Sequence, residues 1–159
     1  MTTTTHPVPA QRLTVPSNNP GVYKALVALQ MAAAADVDAE LAELIKIRAS
    51  QINGCAYCLH MHVRDATAMG MSDLKLHMVA VWREAPAFFS DREQAVLEFT
   101  EAVTRLGDHG VSDAVHDRVA EHFDEYGIGQ LLATVIMINA WNRIAVTSRY
   151  PAGADERRR

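Results

Sequence analysis

From Gly21 onward, apolar residues recur at three- and four-residue intervals along nearly the whole chain. That is the period of helices with one face turned inward. The spacing predicts a first helix over about residues 22–34, rich in alanine at its end. A second covers residues 39–52, with Asp36 or Asp38 as its cap, and buries Leu41, Leu44, Ile45 and the stem of Arg48. Asn53-Gly54 ends it, and a third helix runs over residues 55–69 to a stop at Gly70. Ser72 caps a fourth over residues 73–82, and Pro86 breaks the chain. Ser90-Asp91-Arg92-Glu93 is a capping-box signature that opens a fifth helix, to Leu106. After a loop at residues 107–110, Ser112 caps a sixth helix ending near Phe123, and a long seventh occupies residues 128–148. No stretch alternates with a period of two, and no internal repeat is visible. The pattern therefore predicts an all-α, compact helical bundle of about seven helices.

The flanks read differently. Pro7, Pro9, Pro16 and Pro20 argue against a helix and predict an extended N-terminal arm over residues 1–20. Residues 21–150 form the single helical domain, and residues 151–159 a polar tail ending in Arg157-Arg158-Arg159. The seventh helix stands out because Leu131, Leu132, Val135, Ile136, Ile138, Trp141 and Ile144 cover most of its circumference. A helix apolar all round is buried on all sides. A bundle this small can enclose one such helix centrally or bury its second face against another subunit; the second case predicts a homo-oligomer.

Composition narrows the function. Of 159 residues, 49% are apolar and 21% charged, with a net charge of −4, the profile of a globular domain with a sizeable core. No basic stripe with interleaved aromatics is present, so no nucleic acid partner is expected. The first twenty residues lack the apolar core of a secretory signal. Asn139, Asn142 and Arg143 interrupt the most apolar stretch, so no membrane span is expected. These readings place the protein in the cytoplasm. In that reducing compartment a pair of cysteines is more often catalytic or metal-binding than a structural staple.

The cysteines are the chain's only two, Cys55 and Cys58, in Asn53-Gly54-Cys55-Ala56-Tyr57-Cys58-Leu59-His60-Met61-His62. Three residues apart at a helix start, they share a face, close enough for a disulfide or a common ligand. Free amides and the positive end of the helix dipole favour their thiolates. His62 lies one turn beyond Cys58 and leans back toward it, placed to act as its base or to stabilise its thiolate. If the second and third helices fold into an antiparallel hairpin at Ile52-Asn53, residues at matching height have numbers summing to about 105. Glu43 then faces His62, and the three form a Glu–His–Cys relay. Other readings stand beside this one. Cys55, Cys58, His60 and His62 nominally supply four zinc ligands, although His60 falls on another face. The cysteines can fill core space, and Glu43 can be a solvated surface acid. Arg143, on an apolar helix, requires a partner, with a carboxylate near the site as one candidate.

The stretch from Glu43 through Cys55-Ala56-Tyr57-Cys58 to His62 resembles the carboxymuconolactone decarboxylase superfamily, and within it the alkylhydroperoxidase D-like branch. The likeness continues through Trp82-Arg83-Glu84-Ala85-Pro86, Ser90-Asp91-Arg92-Glu93 and Asn139-Ala140-Trp141-Asn142-Arg143. It implies an all-helical trimer or hexamer and a thiol-dependent peroxidase without metal or other cofactor. By the same resemblance, a hydroperoxide oxidises Cys58 to a sulfenic acid, Cys55 resolves it as a disulfide, and Glu43 with His62 relays protons. A thioredoxin-like or lipoyl electron donor then restores the dithiol. Retention of both cysteines argues against lactone decarboxylation. One position departs from the pattern: Tyr57 stands where the peroxidases of this branch carry a histidine. A phenol is a poor base at neutral pH, so the alternative is a thiol-disulfide oxidoreductase or redox-sensing oligomer with little peroxidase activity.

Overall fold

The computed structural model describes residues 10–153, and these are helical and free of strands. The helices are α1 (Val15–Asn18), α2 (Pro20–Ala33), α3 (Ala39–Ile52), α4 (Ala56–Ala68), α5 (Asp73–Met78), α6 (Asp91–Arg105), α7 (Asp113–Ala120) and α8 (Glu125–Ser148), with two 3-10 segments, Val79–Glu84 and Pro86–Phe88, between α5 and α6. The all-α bundle expected from the sequence is the fold observed. Residues 1–9 of the expected arm and residues 154–159 of the tail, with its three arginines, lie outside the described residues.

α3 is the centre of the bundle. It packs on α4, α6 and α8, and Leu44, Ile45 and Ile47 are wholly enclosed. Its start is capped as the sequence suggests, the Asp38 carboxylate accepting from the Leu41 amide at 3.1 Å. Ser90 and Glu93 form the reciprocal capping box of α6.

Four boundaries differ from expectation. The arm is not wholly extended: residues 15–18 make a helical turn, and Pro20 opens α2. Proline is disfavoured inside a helix but suits its first turn, where no amide partner is lost. The predicted fourth helix continues past Met78 as a 3-10 segment, with Val81 out of helical geometry (φ −125°, ψ 27°). The sixth ends at Ala120 rather than near Phe123. The last helix begins at Glu125, because Asp124 caps it through the Gly127 amide.

α8 runs 24 residues, and among the described residues it alone has the length and apolarity to cross a membrane. Packing against α2, α3 and α6 accounts for part of that apolarity. Leu131, Val135, Met137 and Ile138 are buried, whereas Leu132, Ile136 and Val146 on its other side are exposed.

Beneath the 3-10 segment, Glu101 of α6 gathers three arginines and a tryptophan. It accepts from Arg48 Nε at 2.7 Å, Trp82 Nε1 at 2.9 Å and Arg105 Nη1 at 3.1 Å, and also from Arg83. Burial pushes this carboxyl up, but the hydrogen bonds from Trp82, Arg83 and Arg48 outweigh it and hold it at about 2, against an ordinary 4.5. A lowered pKa contributes stability that is complete above the ordinary value and is lost as the pH falls toward the lowered one. Between pH 5 and 3 the wild type is therefore expected to lose on the order of 2 kcal/mol more unfolding free energy than Glu101→Gln. Urea midpoints across that range measure it; a gap that stays constant would show that the network does not depend on the charge.

Candidate functional site

The site begins with the turn joining α3 to α4. Gly54 adopts φ +64°, the left-handed region that glycine enters at little cost. The Cys55 amide bonds back to the Ser50 carbonyl at 2.9 Å, and the Gly54 amide to that of Gln51 at 3.3 Å. This is a Schellman end. The residue it delivers next is Cys55, the N-cap of α4, whose sulfur accepts from the Cys58 amide at 3.3 Å. One glycine thus ends the first helix and sets the cysteine pair on the first turn of the second. Cys55 and Cys58 are joined as a disulfide, with Cα atoms 5.4 Å apart, and both are buried.

A polar network on α8 holds this turn. Asn142 is fully enclosed; its Nδ2 donates to Ser50 Oγ at 3.0 Å and its Oδ1 accepts from Asn53 Nδ2 at 2.9 Å. Asn53 donates also to Asn139 Oδ1 at 2.9 Å, and Asn139 in turn to Thr104 Oγ1 at 3.0 Å. Buried amides persist only when so satisfied. Arg143 does not pair with a carboxylate near the site. It donates to Asn139, at 3.0 Å to the carbonyl and 2.8 Å to Oδ1, from an exposed position. A guanidinium at the surface keeps its hydration and does not need a counter-charge.

His62, one turn along α4 from Cys58, is buried, and its Nδ1 lies 3.0 Å from Glu43 Oε2. The hairpin register thus brings together the pair it predicts, and Glu43 is a buried acid rather than a solvated one. Lys46, one turn along α3, reaches the other oxygen of Glu43 at 2.7 Å. Burial raises the Glu43 carboxyl, but hydrogen bonds from His62 and Lys46, and their charges, bring it below the ordinary carboxylate value. Glu43 is therefore an acceptor and Nδ1 carries the proton donated to it, so Nε2 is the unprotonated nitrogen of the neutral ring.

Cys58 and His62 face one cavity of about 380 Å³, together with Lys46 and Asp65. Cys55 is not part of its wall. Asp65, three residues after His62, is exposed, and its carboxylate lies within 4.8 Å of the Glu43 and His62 ligand atoms. Those three are the one group among the described residues that could share a metal ion. The Lys46 ammonium on Glu43 opposes a cation there, and the four-ligand set of Cys55, Cys58, His60 and His62 is closed off by the bond between its sulfurs. Lys46 and Asp65 escape the sequence reading, though both stand one turn from a residue it names. Helical spacing from Glu43 and His62 is the signal that finds them.

Comparison with known proteins agrees with this fold. The model of the carboxymuconolactone decarboxylase family matches residues 20–102. The uncharacterized protein YdfG of Bacillus subtilis (strain 168) is 42% identical over 104 residues, which cover 65% of this chain and 70% of YdfG. Among solved structures, ATU0492 of Agrobacterium tumefaciens, a protein of unknown function assigned to AhpD-type antioxidant defence, superposes with a TM-score of 0.86 at 33% identity, over 90% of this chain and 98% of that one. An uncharacterized peroxidase-related protein with the alkylhydroperoxidase AhpD core, from Ralstonia eutropha JMP134, shares the fold at a TM-score of 0.76 and 23% identity, over 89% and 75%. With more than half of its residues matched by the family model, and with this fold, the chain belongs to the carboxymuconolactone decarboxylase family, on its AhpD-like branch.

Proposed function

We propose that the protein is a thiol-dependent peroxidase that reduces hydroperoxides through Cys58 and Cys55. The observation that carries this reading is the buried Glu43–His62 pair, at 3.0 Å, in the wall of the cavity that Cys58 also faces. In the reduced enzyme His62 Nε2 takes the Cys58 thiol proton, and the thiolate attacks the distal peroxide oxygen. The O–O bond breaks, Cys58 becomes a sulfenic acid, and the departing alkoxide takes a proton from His62 Nε2, giving the alcohol. Glu43 holds the neutral ring in the tautomer whose Nε2 can accept the thiol proton, and it stabilises the cationic form that gives this proton to the alkoxide. The Cys55 thiolate then attacks the Cys58 sulfur, water leaves, and the disulfide forms. A dithiol donor, thioredoxin-like or lipoyl, reduces it and closes the cycle.

Because that cycle draws on reducing thiols, it suits the cytoplasm. The exposed apolar side of α8, with Leu132, Ile136 and Val146, and the exposed Val22 and Met31 of α2 support a homo-oligomer, trimer or hexamer, in which these faces are covered. Sedimentation should give a mass of three or six chains; that of a single chain removes this part of the reading.

A second reading has one observation in its favour. Tyr57 is exposed and lines the cavity, and a phenol adds no base to the relay. The protein would then exchange disulfides and turn over little peroxide. Supplying the reduced protein with a hydroperoxide and, separately, with dithiothreitol, reduced thioredoxin or dihydrolipoamide distinguishes the two. Catalytic peroxide loss supports the peroxidase. Reduction and reoxidation of the disulfide with no peroxide consumed beyond background leaves the oxidoreductase in its place.

A further inference from the structure

The cavity beside Cys58 is much larger than hydrogen peroxide requires. Its volume of about 380 Å³ falls among pockets that enclose small organic ligands, whereas a water molecule's share of liquid is about 30 Å³. Two aromatic pairs stand in its wall. Tyr23 of α2 and Trp141 of α8 meet edge to face with centroids 5.6 Å apart, and Tyr57 of α4 meets Tyr150, beyond the end of α8, at 5.4 Å. The thioethers of Met61 and Met137 line the same space, and sulfur packs well against ring edges. The wall also bears on charge. Its one ammonium, Lys46, is already bound to Glu43, while the Asp65 carboxylate stands exposed at the same cavity. Among the described residues of the wall no spare ammonium or guanidinium receives an acidic ligand, and an anion would meet Asp65.

From these observations we infer that the cavity is a specificity site for neutral aralkyl hydroperoxides, which bear a ring on the peroxide-bearing carbon, the ring held among Tyr23, Trp141, Tyr57 and Tyr150 and the peroxide directed at Cys58. This rests on the peroxidase reading and names its substrate class. It also gives Tyr57 a role: at a position where a histidine would supply a base, this chain supplies a ring face. The bond changes are those of the proposed cycle. The O–O bond of the aralkyl hydroperoxide breaks, its distal oxygen passes to Cys58, and the aralkyl alcohol leaves with a proton from His62. The two electrons come from the cysteine pair and are replaced by the dithiol donor.

Cumene hydroperoxide and tert-butyl hydroperoxide test the site, because both are tertiary peroxides and differ by a phenyl in place of a methyl. Ring contacts with two aromatic pairs should give cumene hydroperoxide a kcat/KM advantage of about tenfold, chiefly through KM. Trp141→Leu and Tyr150→Leu should each bring the ratio toward one. Equal kcat/KM values in the wild type, or a ratio that neither substitution alters, would overturn the inference. Binding is read separately in Cys58→Ser protein, titrated with 2-phenyl-2-propanol and with tert-butanol while tryptophan fluorescence is followed. The aralkyl alcohol alone should change the emission, and Trp141→Phe should remove the change. Aralkyl binding without any peroxide turnover would uphold the site and sink the peroxidase reading. Turnover with no preference for the aralkyl compound would do the reverse.

Discussion

Cys58→Ser is expected to abolish thiol-dependent peroxide consumption, a loss on the order of 10³-fold or more, as befits removal of a nucleophile. The argument is one of access and chemistry together. A serine hydroxyl is not ionised at neutral pH and cannot be oxidised to the sulfenic level. The only other sulfur nucleophile is Cys55, which is buried at the N-cap of α4 and does not line the cavity. Cys55→Ser should behave differently. The first equivalent of peroxide is still consumed at near the wild-type rate, but Cys58 stops as a sulfenic acid that dimedone traps, and recycling fails. Stopped-flow peroxide loss and mass spectrometry of the trapped protein measure both variants. If Cys55→Ser were the inactive one and Cys58→Ser retained the first turnover, the two roles would be reversed. Undiminished turnover in both would place the chemistry elsewhere in the molecule.

The legible part of this site was local or tied to a single turn. Asp38, Ser90 and Ser112 announce helix starts because a side-chain oxygen there satisfies free amides, whatever lies beyond. Asn53-Gly54 is equally local: only a residue tolerant of positive φ can close α3 so abruptly. Once that turn is fixed, an antiparallel hairpin sets which residues stand opposite each other, and Glu43 with His62 follows from arithmetic. The rest depends on contacts between distant segments. Trp141 and Tyr150 reach the cavity from the far end of the chain and Tyr23 from near its start, and no spacing rule connects them. The asparagines of α8 show as polar interruptions in an apolar helix, yet their partners Ser50, Asn53 and Thr104 lie 35 to 92 residues away. Arg143 differs for another reason: its apolar neighbours on α8 suggest burial, but it is exposed and bonds within its own helix, to Asn139. Pro16 and Pro20 were read as breakers, where first-turn positions tolerate them.

Glu43→Gln should slow the peroxide step by about 10²-fold, within the usual range for losing a positioned proton-transfer system, while the Cys55–Cys58 disulfide still forms. The substitution keeps the shape and the buried volume and removes the charge. With the carboxylate present, His62 Nδ1 donates to it and Nε2 is the unprotonated nitrogen of the neutral ring. A glutamine can present its NH2 instead, accept no proton from Nδ1 and hold the ring in the other tautomer. Its neutral side chain also leaves the Lys46 ammonium, only 16% exposed, without its counter-charge, so Glu43→Gln paired with Lys46→Met separates that cost from the relay. If the double variant regains stability but not rate, the relay is the cause. The pH profile gives a second reading. Because the Glu43 carboxyl lies below the ordinary value of 4.5, it stays ionised as the pH falls through the usual carboxylate range, and its contribution to the wild-type rate should be lost only below that. From pH 8 to about 5 the wild-type rate should therefore stay above that of Glu43→Gln. Equal rates for the two proteins across this range would make the 3.0 Å contact between Glu43 and His62 a structural one alone.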